Sequence, residues 1–452
     1  MSRVRRDMDM TQGVIWKQLL YFAAPLALGL LFQQLYNTVD TIVVGRFVGR
    51  EALAAVGSTS SIINMMVGFG AGMSTGASVT IAQCYGAKDH KTLSRAVHTT
   101  MAFTLILGVI ATALGLLLVD PMLRLMDTPQ DVFEQAHTYL MIYYSGMLGL
   151  LIYNMGSGIL RAVGDSRRPL YFLCFSALMN TVLDLLFVLV FHMGVAGVAY
   201  ATIIAQFLSA LLVLWVLCRD HAPYGLRIRH IKIHWDMLKR IFGIGFPAAI
   251  QQVVTSFSNV FVQSYINFFG SASMAGWSTY NKLDAFLLIP VQAIAIANTT
   301  FVGQNYGAKK MDRARKGVMQ AQLISVGITM VLAGMTILFA RNFIHLFSSD
   351  PEVVQYGVYF ITLISPFYFL MCIYQNFAGA LRGVGSATQP MVIMLLSFVV
   401  IRQIYLYLVR YVFGNPLAAV ALSYPVGWVI CSVLLTVCYK RSVLGRKALK
   451  SE

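Results

Sequence analysis

Thr99–Val119 reads TTMAFTLILGVIATALGLLLV, 21 consecutive residues without one ionisable side chain. As a helix rising about 1.5 Å per residue it is roughly 32 Å long, the thickness of a bilayer's hydrocarbon core. A helix on a soluble protein's surface would carry a polar stripe, and this one has none. Working outward, similar runs recur along the chain, and twelve spans are read near 17–43, 53–82, 93–119, 137–160, 169–191, 195–218, 240–267, 273–302, 315–340, 354–381, 390–412 and 417–439. The predicted fold class is an all-α polytopic membrane protein with twelve transmembrane helices.

Composition agrees. Of 452 residues, 58% are hydrophobic and 12% charged, against about 25% charged in soluble domains. Mean hydropathy is +0.70. These values exclude a soluble enzyme, a disordered scaffold and a disulfide-stapled secreted domain. Cys84, Cys174, Cys218, Cys372, Cys431 and Cys438 lie in or beside apolar runs without CxxC spacing, so they read as small hydrophobes. No histidine spacing points to a metal.

The formal net charge is +16. Its placement excludes nucleic acid as the reason. Loops on the side of both termini hold 27 Lys and Arg, and the opposite loops hold five: Arg46, Arg50, Arg124, Arg341 and Arg410. Lys282 and Arg402 fall inside spans. The positive-inside rule then predicts a multi-pass protein of the plasma (inner) membrane with both termini cytoplasmic. Anionic lipid headgroups are the natural partners of this charge. The first span is expected to serve as the insertion signal, since nothing resembles a cleavable signal peptide.

A polar linker at 219–238 divides the chain into an N-terminal lobe (1–218) and a C-terminal lobe (239–452), and the lobes repeat. Gln83–Lys88 (QCYGAK) matches Gln304–Lys309 (QNYGAK) at an offset of 221, and Gly158–Gly164 (GILRAVG) matches Gly379–Gly385 (GALRGVG) at the same offset. Pro169 and Pro390 keep it, as do Tyr153 and Tyr374; Pro25 and Pro247 stand 222 apart. Six spans per repeat insert both halves in one orientation, related by an axis along the membrane normal. Transporters are often built so, with substrate bound between the repeats near the midplane.

Together with Asn37-Thr38-Val39-Asp40, these doubled motifs resemble the multidrug and toxic compound extrusion (MATE) transporters from Pro25 to about Lys440. The resemblance implies two six-helix lobes facing each other as a V, and cation-driven export of amphiphilic, often cationic compounds.

Ionisable residues within spans are costly and are functional candidates by default. The in-span acids are Asp40, Asp184 and Asp284. Asp40 lies roughly 35 Å of helix beyond Lys17 and Asp184 roughly 24 Å beyond Arg168, so both belong to the outer half of the first lobe. Asn180 is one turn from Asp184, and Thr202 starts the sixth span at a compatible height. Two carboxylates, an amide and a hydroxyl offer hard oxygen ligands for Na⁺, and the same cluster can take up a proton. The resemblance agrees: Asp40, Asn180, Asp184 and Thr202 match the family's N-lobe cation site. Asn154, nearer the cytoplasm, is a further candidate. The bland alternative is that Asp40 caps or pairs near the interface while Asp184 bonds Asn180 structurally.

One branch of the family keeps a Glu and an Asp in the C-terminal lobe where this chain has Thr255 and Ser386, so no cation site carries over there. That lobe instead offers Lys282, Asp284 and Arg402 with Gln252 nearby, as a substrate or polar site. Depths of roughly 15 Å for Asp284 and 18 Å for Arg402 allow the two to pair. The glycines of Gly68–Gly76 read as a surface for close helix packing rather than a phosphate cradle. The GAKD and GAKK segments read as turns.

The expected function is antiport by alternating access, coupled to H⁺ or Na⁺ and without other cofactor or catalytic residue, in a monomer. Substrates are small amphiphilic or cationic drugs or toxic metabolites. A flippase for lipid-linked sugars is the alternative; it would need a cationic cavity, for which only Lys282 and Arg402 lie within spans. A membrane-embedded enzyme is the alternative from another class, and no metal or nucleophile constellation speaks for it.

Overall fold

The computed structural model describes residues 7–446 except Asp127 and His221. All regular structure among the described residues is helical. In chain order the helices are α1 (Ile15–Val43), α2 (Arg50–Gly86), α3 (His90–Leu125), α4 (Gln130–Ser145), α5 (Met147–Ala162), α6 (Arg167–Leu185) and α7 (Gly194–Arg219). After the linker come α8 (Trp235–Asn267), α9 (Ser271–Gly307), α10 (Met311–Leu338), α11 (Ala340–His345), α12 (Pro351–Ile364), α13 (Tyr368–Gly383), α14 (Thr388–Leu395), α15 (Arg402–Tyr411), α16 (Leu417–Ala421) and α17 (Ser423–Arg441). π-helical turns extend α1 (Val44–Val48) and α6 (Leu186–Val190) and join α14 to α15 (Leu396–Ile401).

Among the described residues, eleven helices are long and apolar enough to cross a bilayer. The twelfth is α4 with α5, each too short alone. Gln130–Ala162 stands 221 positions before Pro351–Gly383, itself interrupted by a 3₁₀ turn at Ser365–Phe367. The uninterrupted spans expected at 137–160 and 354–381 are therefore both broken. Pro366 cannot donate a backbone hydrogen bond. At Gly146 a Cβ would stand 2.4 Å from Ile203 Cγ2, so only glycine lets the two helices meet there.

The chain forms two compact units: Met1–Asp9 with Leu28–Ala249, and Met10–Ala27 with Ile250–Glu452. The chain changes unit inside α1 and again inside α8, two residues after Pro25 and two after Pro247. The N-terminal portion of each helix thus belongs to the unit of the other repeat. Within the first unit, Gly72 and Gly76 of α2 let α8 approach to backbone contact. A Cβ on Gly72 would meet Ala249 Cα at 2.3 Å, and one on Gly76 the Ile241 carbonyl at 2.2 Å. The linker is not free. Tyr224 and Leu226 are buried in this unit, the Arg227 N–H donates to His98 Nε2 at 3.0 Å, and the His234 N–H to Thr99 Oγ1 at 3.1 Å.

The second unit grips the lead-in to α1 through the repeat motif. Gln304 Oε1 accepts the Met10 N–H at 2.9 Å, and the Met10 carbonyl accepts from Asn305 Nδ2 (3.1 Å) and Arg313 Nε (3.2 Å). The GAK turns have matching left-handed lysines, Lys88 (φ 56°) and Lys309 (φ 58°). All six cysteines are free; Cys84, Cys372 and Cys431 are buried and Cys218 is exposed. Among the described residues no cluster of three metal-ligating side chains occurs.

Candidate coupling site

Asp40 lies near the end of α1 and Asp184 near the end of α6, each just before a π-helical turn. Such turns are rare and frequent at functional sites. They redirect the ladder where α1, α6 and α7 meet around an apolar cluster of Val43, Val44, Val188, Val195 and Val198. Asp184 is fully buried and Asn180 nearly so. The Asn180 amide lies between Asp40 and Thr202; assigned so that its nitrogen faces the carboxylate, it donates to Asp40 Oδ1 at 2.9 Å and accepts the Thr202 backbone N–H at 3.3 Å. Among the described residues no N–H or hydroxyl donates to either carboxylate oxygen of Asp184. The group within hydrogen-bond reach of Asp184 is the carboxyl of Asp40.

Four of the five expected residues therefore converge. Thr202 does so through its backbone, because its hydroxyl donates to the Val198 carbonyl at 2.9 Å. Asn154 is not joined to the cluster: its amide nitrogen donates to Leu150 of its own helix at 2.9 Å. Two residues join the site that sequence reasoning missed. Tyr36, one turn before Asp40, lies within electrostatic range of it, and Tyr139 of α4 lies within range of both acids. The i, i+4 spacing of Tyr36 and Asp40 is a signal that the sequence carried.

The C-terminal polar residues do not form the pair that their depths allow. Asp284 accepts from the Tyr368 hydroxyl and, at 3.4 Å, from the Tyr280 hydroxyl. Arg402 donates instead to Ser258 Oγ (2.6 Å) and Asn259 Oδ1 (3.0 Å) and lies over the Tyr424 ring at 4.9 Å. The phenols of α9 and α13 hold Asp284, while Ser258, Asn259 and the Tyr424 ring hold Arg402 against α8 and α17, so the two side chains take different partners. Lys282 is exposed over the Phe347 ring at 5.6 Å, and Gln252 is exposed on α8.

The paired repeats, twelve crossings and buried acid pair agree with an independent observation: the MatE family model matches residues 25–186 and 247–408, once in each repeat. The chain belongs to the MatE family. This transporter, which is not an enzyme, is 31% identical over 87% of its length to a probable multidrug resistance protein of Bacillus subtilis, YpnP, covering 88% of that relative. It is 29% identical over 96% of its length to a second one from the same organism, YoeA, covering 95% of it. Its fold matches that of a MOP superfamily transporter from Pyrococcus furiosus with a TM-score of 0.92 at 23% identity, over 99% of this chain and 100% of that one.

Proposed function

We propose that the transporter exports amphiphilic, cationic compounds by proton-coupled antiport with alternating access. One observation carries this reading: Asp40 and Asp184 lie in hydrogen-bond reach of each other, with no other donor to Asp184 among the described residues. Two buried carboxylates that close repel as anions and attract when one proton lies between them. The proton is the coupling ion that this arrangement favours.

In the unprotonated state the pair is an anionic site in a low-dielectric surrounding, which holds a cationic substrate. Protonation from outside removes that charge, so substrate leaves and the helices around the pair repack. The two Bacillus relatives, named for multidrug resistance, support the substrate class. A lipid-linked-sugar flippase is the weaker reading, because Arg402 is engaged by Ser258, Asn259 and Tyr424. The charge bias of 27 basic residues to five supports a plasma (inner) membrane location with both termini cytoplasmic. A C-terminal reporter that fluoresces only outside the cytoplasm should stay dark; a bright one overturns the topology.

Inverted vesicles test the coupling. An interior-acid pH gradient should drive uptake of a cationic dye, and a Na⁺ gradient at equal pH should not. Uptake driven by Na⁺ alone would replace the proton in this mechanism.

A further inference from the structure

At the end of the second unit where α17 finishes, two adjoining cavities of about 640 and 490 Å³ share Gln389, Arg441 and Ser442. The larger is bordered by Lys309, Asp312, Arg315, Arg441 and Arg446. Arg315 is already committed: it pairs with Asp312 at 2.8 Å and donates to the carbonyls of Leu444 and Arg446. Lys309, Arg441 and Arg446 are exposed, and none has an acid partner among the described residues. The smaller cavity is an apolar groove between α14 and α17, floored by Ile393 and Leu434. Val392 and Val437 at its rim are 52% and 43% exposed, on a face bare of protein.

The internal repeat supplies a control for this charge pattern. The positions 221 before Ser386, Gln389 and Arg441 are Asp165, Arg168 and Asp220. Backbone geometry is kept, with Gly164 at φ 89° and Gly385 at φ 92°. In the first unit these three side chains close on one another. Arg168 Nε meets Asp165 at 3.0 Å and its NH1 meets Asp220 at 2.9 Å, while the Tyr224 hydroxyl donates to Asp220 at 3.2 Å. One repeat fills the place with its own ion pairs. The other has neither acid, carries Gln389 in place of the arginine and Arg441 in place of the second acid, and opens onto an apolar groove.

We propose that this place in the second unit is a binding site for an anionic phospholipid. The phosphate sits among Lys309, Arg441 and Arg446, and an acyl chain lies along the groove between α14 and α17. Basic pockets between transmembrane helices suit such headgroups. A lipid rather than a soluble anion is the occupant, because the basic cavity continues into an apolar, membrane-facing groove. Only the assignment to the cytoplasmic leaflet rests on the topology proposed above.

Native mass spectrometry of the full chain in detergent, titrated with phosphatidylglycerol or phosphatidylcholine, tests the site. The wild type should retain one phosphatidylglycerol that the double variant Lys309→Gln/Arg441→Gln binds about 30-fold more weakly. The triple variant Ser386→Asp/Gln389→Arg/Arg441→Asp, which rebuilds the ion cluster of the first unit, should lose the same lipid with its unfolding temperature unchanged. Excess inorganic phosphate should leave the bound lipid in place. Three results would each overturn the proposal: equal phosphatidylglycerol retention in wild type and variants, equal retention of phosphatidylcholine, or displacement by phosphate, which would make it a soluble-anion site. The readout is indifferent to which way the termini face, so a failed topology leaves this test standing.

Discussion

Asp184 and Asp284 are membrane-embedded acids in the two halves of one duplicated fold, and their surroundings treat them in opposite ways. Asp284 receives two phenol hydroxyls, from Tyr280 and Tyr368. Asp184 receives no N–H or hydroxyl donor among the described residues and faces a second carboxyl. A buried carboxylate satisfied by two donors has little need of an external cation, whereas two facing carboxylates need a proton or ion between them. Burial of an acid is therefore not by itself the mark of a coupling site. What distinguishes the two is which donors the rest of the chain brings to them.

The largest expected difference is in transport. Asp184→Asn and Asp40→Asn should each lower gradient-driven dye efflux, normalised to membrane protein, by about tenfold or more, while both proteins fold and insert. The double variant should be no worse than either single, because the two act as one unit. Wild-type efflux in both singles would erase the distinction drawn here.

Asp284→Asn should show the reverse profile. Weakening two charge-assisted hydrogen bonds should cost about 2 kcal/mol, read as a lower thermal midpoint in detergent, with efflux within about twofold of wild type. An abundant Asp284→Asn protein without gradient coupling would move the coupling site to the second unit.

A smaller effect should separate the ion cluster of the first unit from its counterpart. Arg168→Gln leaves Asp165 and Asp220 facing each other. Because Arg168 and Asp220 are partly solvated, the loss should be about 1 kcal/mol in the thermal midpoint. Gln389→Arg at the equivalent position of the second unit has no acid to meet and should not stabilise; a raised midpoint would contradict the difference in charge.

The smallest effect concerns pH. Burial pushes the Asp220 carboxyl up, but the Arg168 guanidinium and the Tyr224 hydroxyl outweigh it and hold the carboxyl below its usual range. The folded state then binds fewer protons than the unfolded one, so this contribution is complete at neutral pH and is lost as pH falls through the depressed value, below about 4. Hydrogen exchange in 222–234 should quicken there by less than in Arg168→Gln at neutral pH. Unchanged exchange in acid would show that the linker is held without Asp220.

Much of the site was legible because its residues are rare in their setting. An acid within an apolar span stands out, and counting at 1.5 Å per residue placed Asp40 and Asp184 in the outer half of the first lobe, with Asn180 one turn from Asp184 and Thr202 at a compatible height. The same counting failed for Asp284 and Arg402. Equal depth fixes only one coordinate, and rotation about each helix axis turned Arg402 toward Ser258 and Asp284 toward Tyr368. Asn154, counted as nearer the cytoplasm, stays apart from the acids, its amide bonding its own helix. The break at Gly146 was illegible because a lone glycine in an apolar run is usually tolerated in a membrane helix.

The sequence by itself determined the membrane class, the crossings and the duplication, since hydrocarbon thickness, backbone self-satisfaction and a fixed offset of 221 all act along the chain. It also determined the doubled GAK turns and the small-residue face of α2. Only the tertiary structure decided which donors reach each buried acid, that the halves of α1 and α8 belong to different units, and that ion pairs fill one repeat's loop while the other's stays open and cationic. Those outcomes depend on side chains far apart in sequence meeting in space. No local period or composition encodes the rotation and height at which two helices meet.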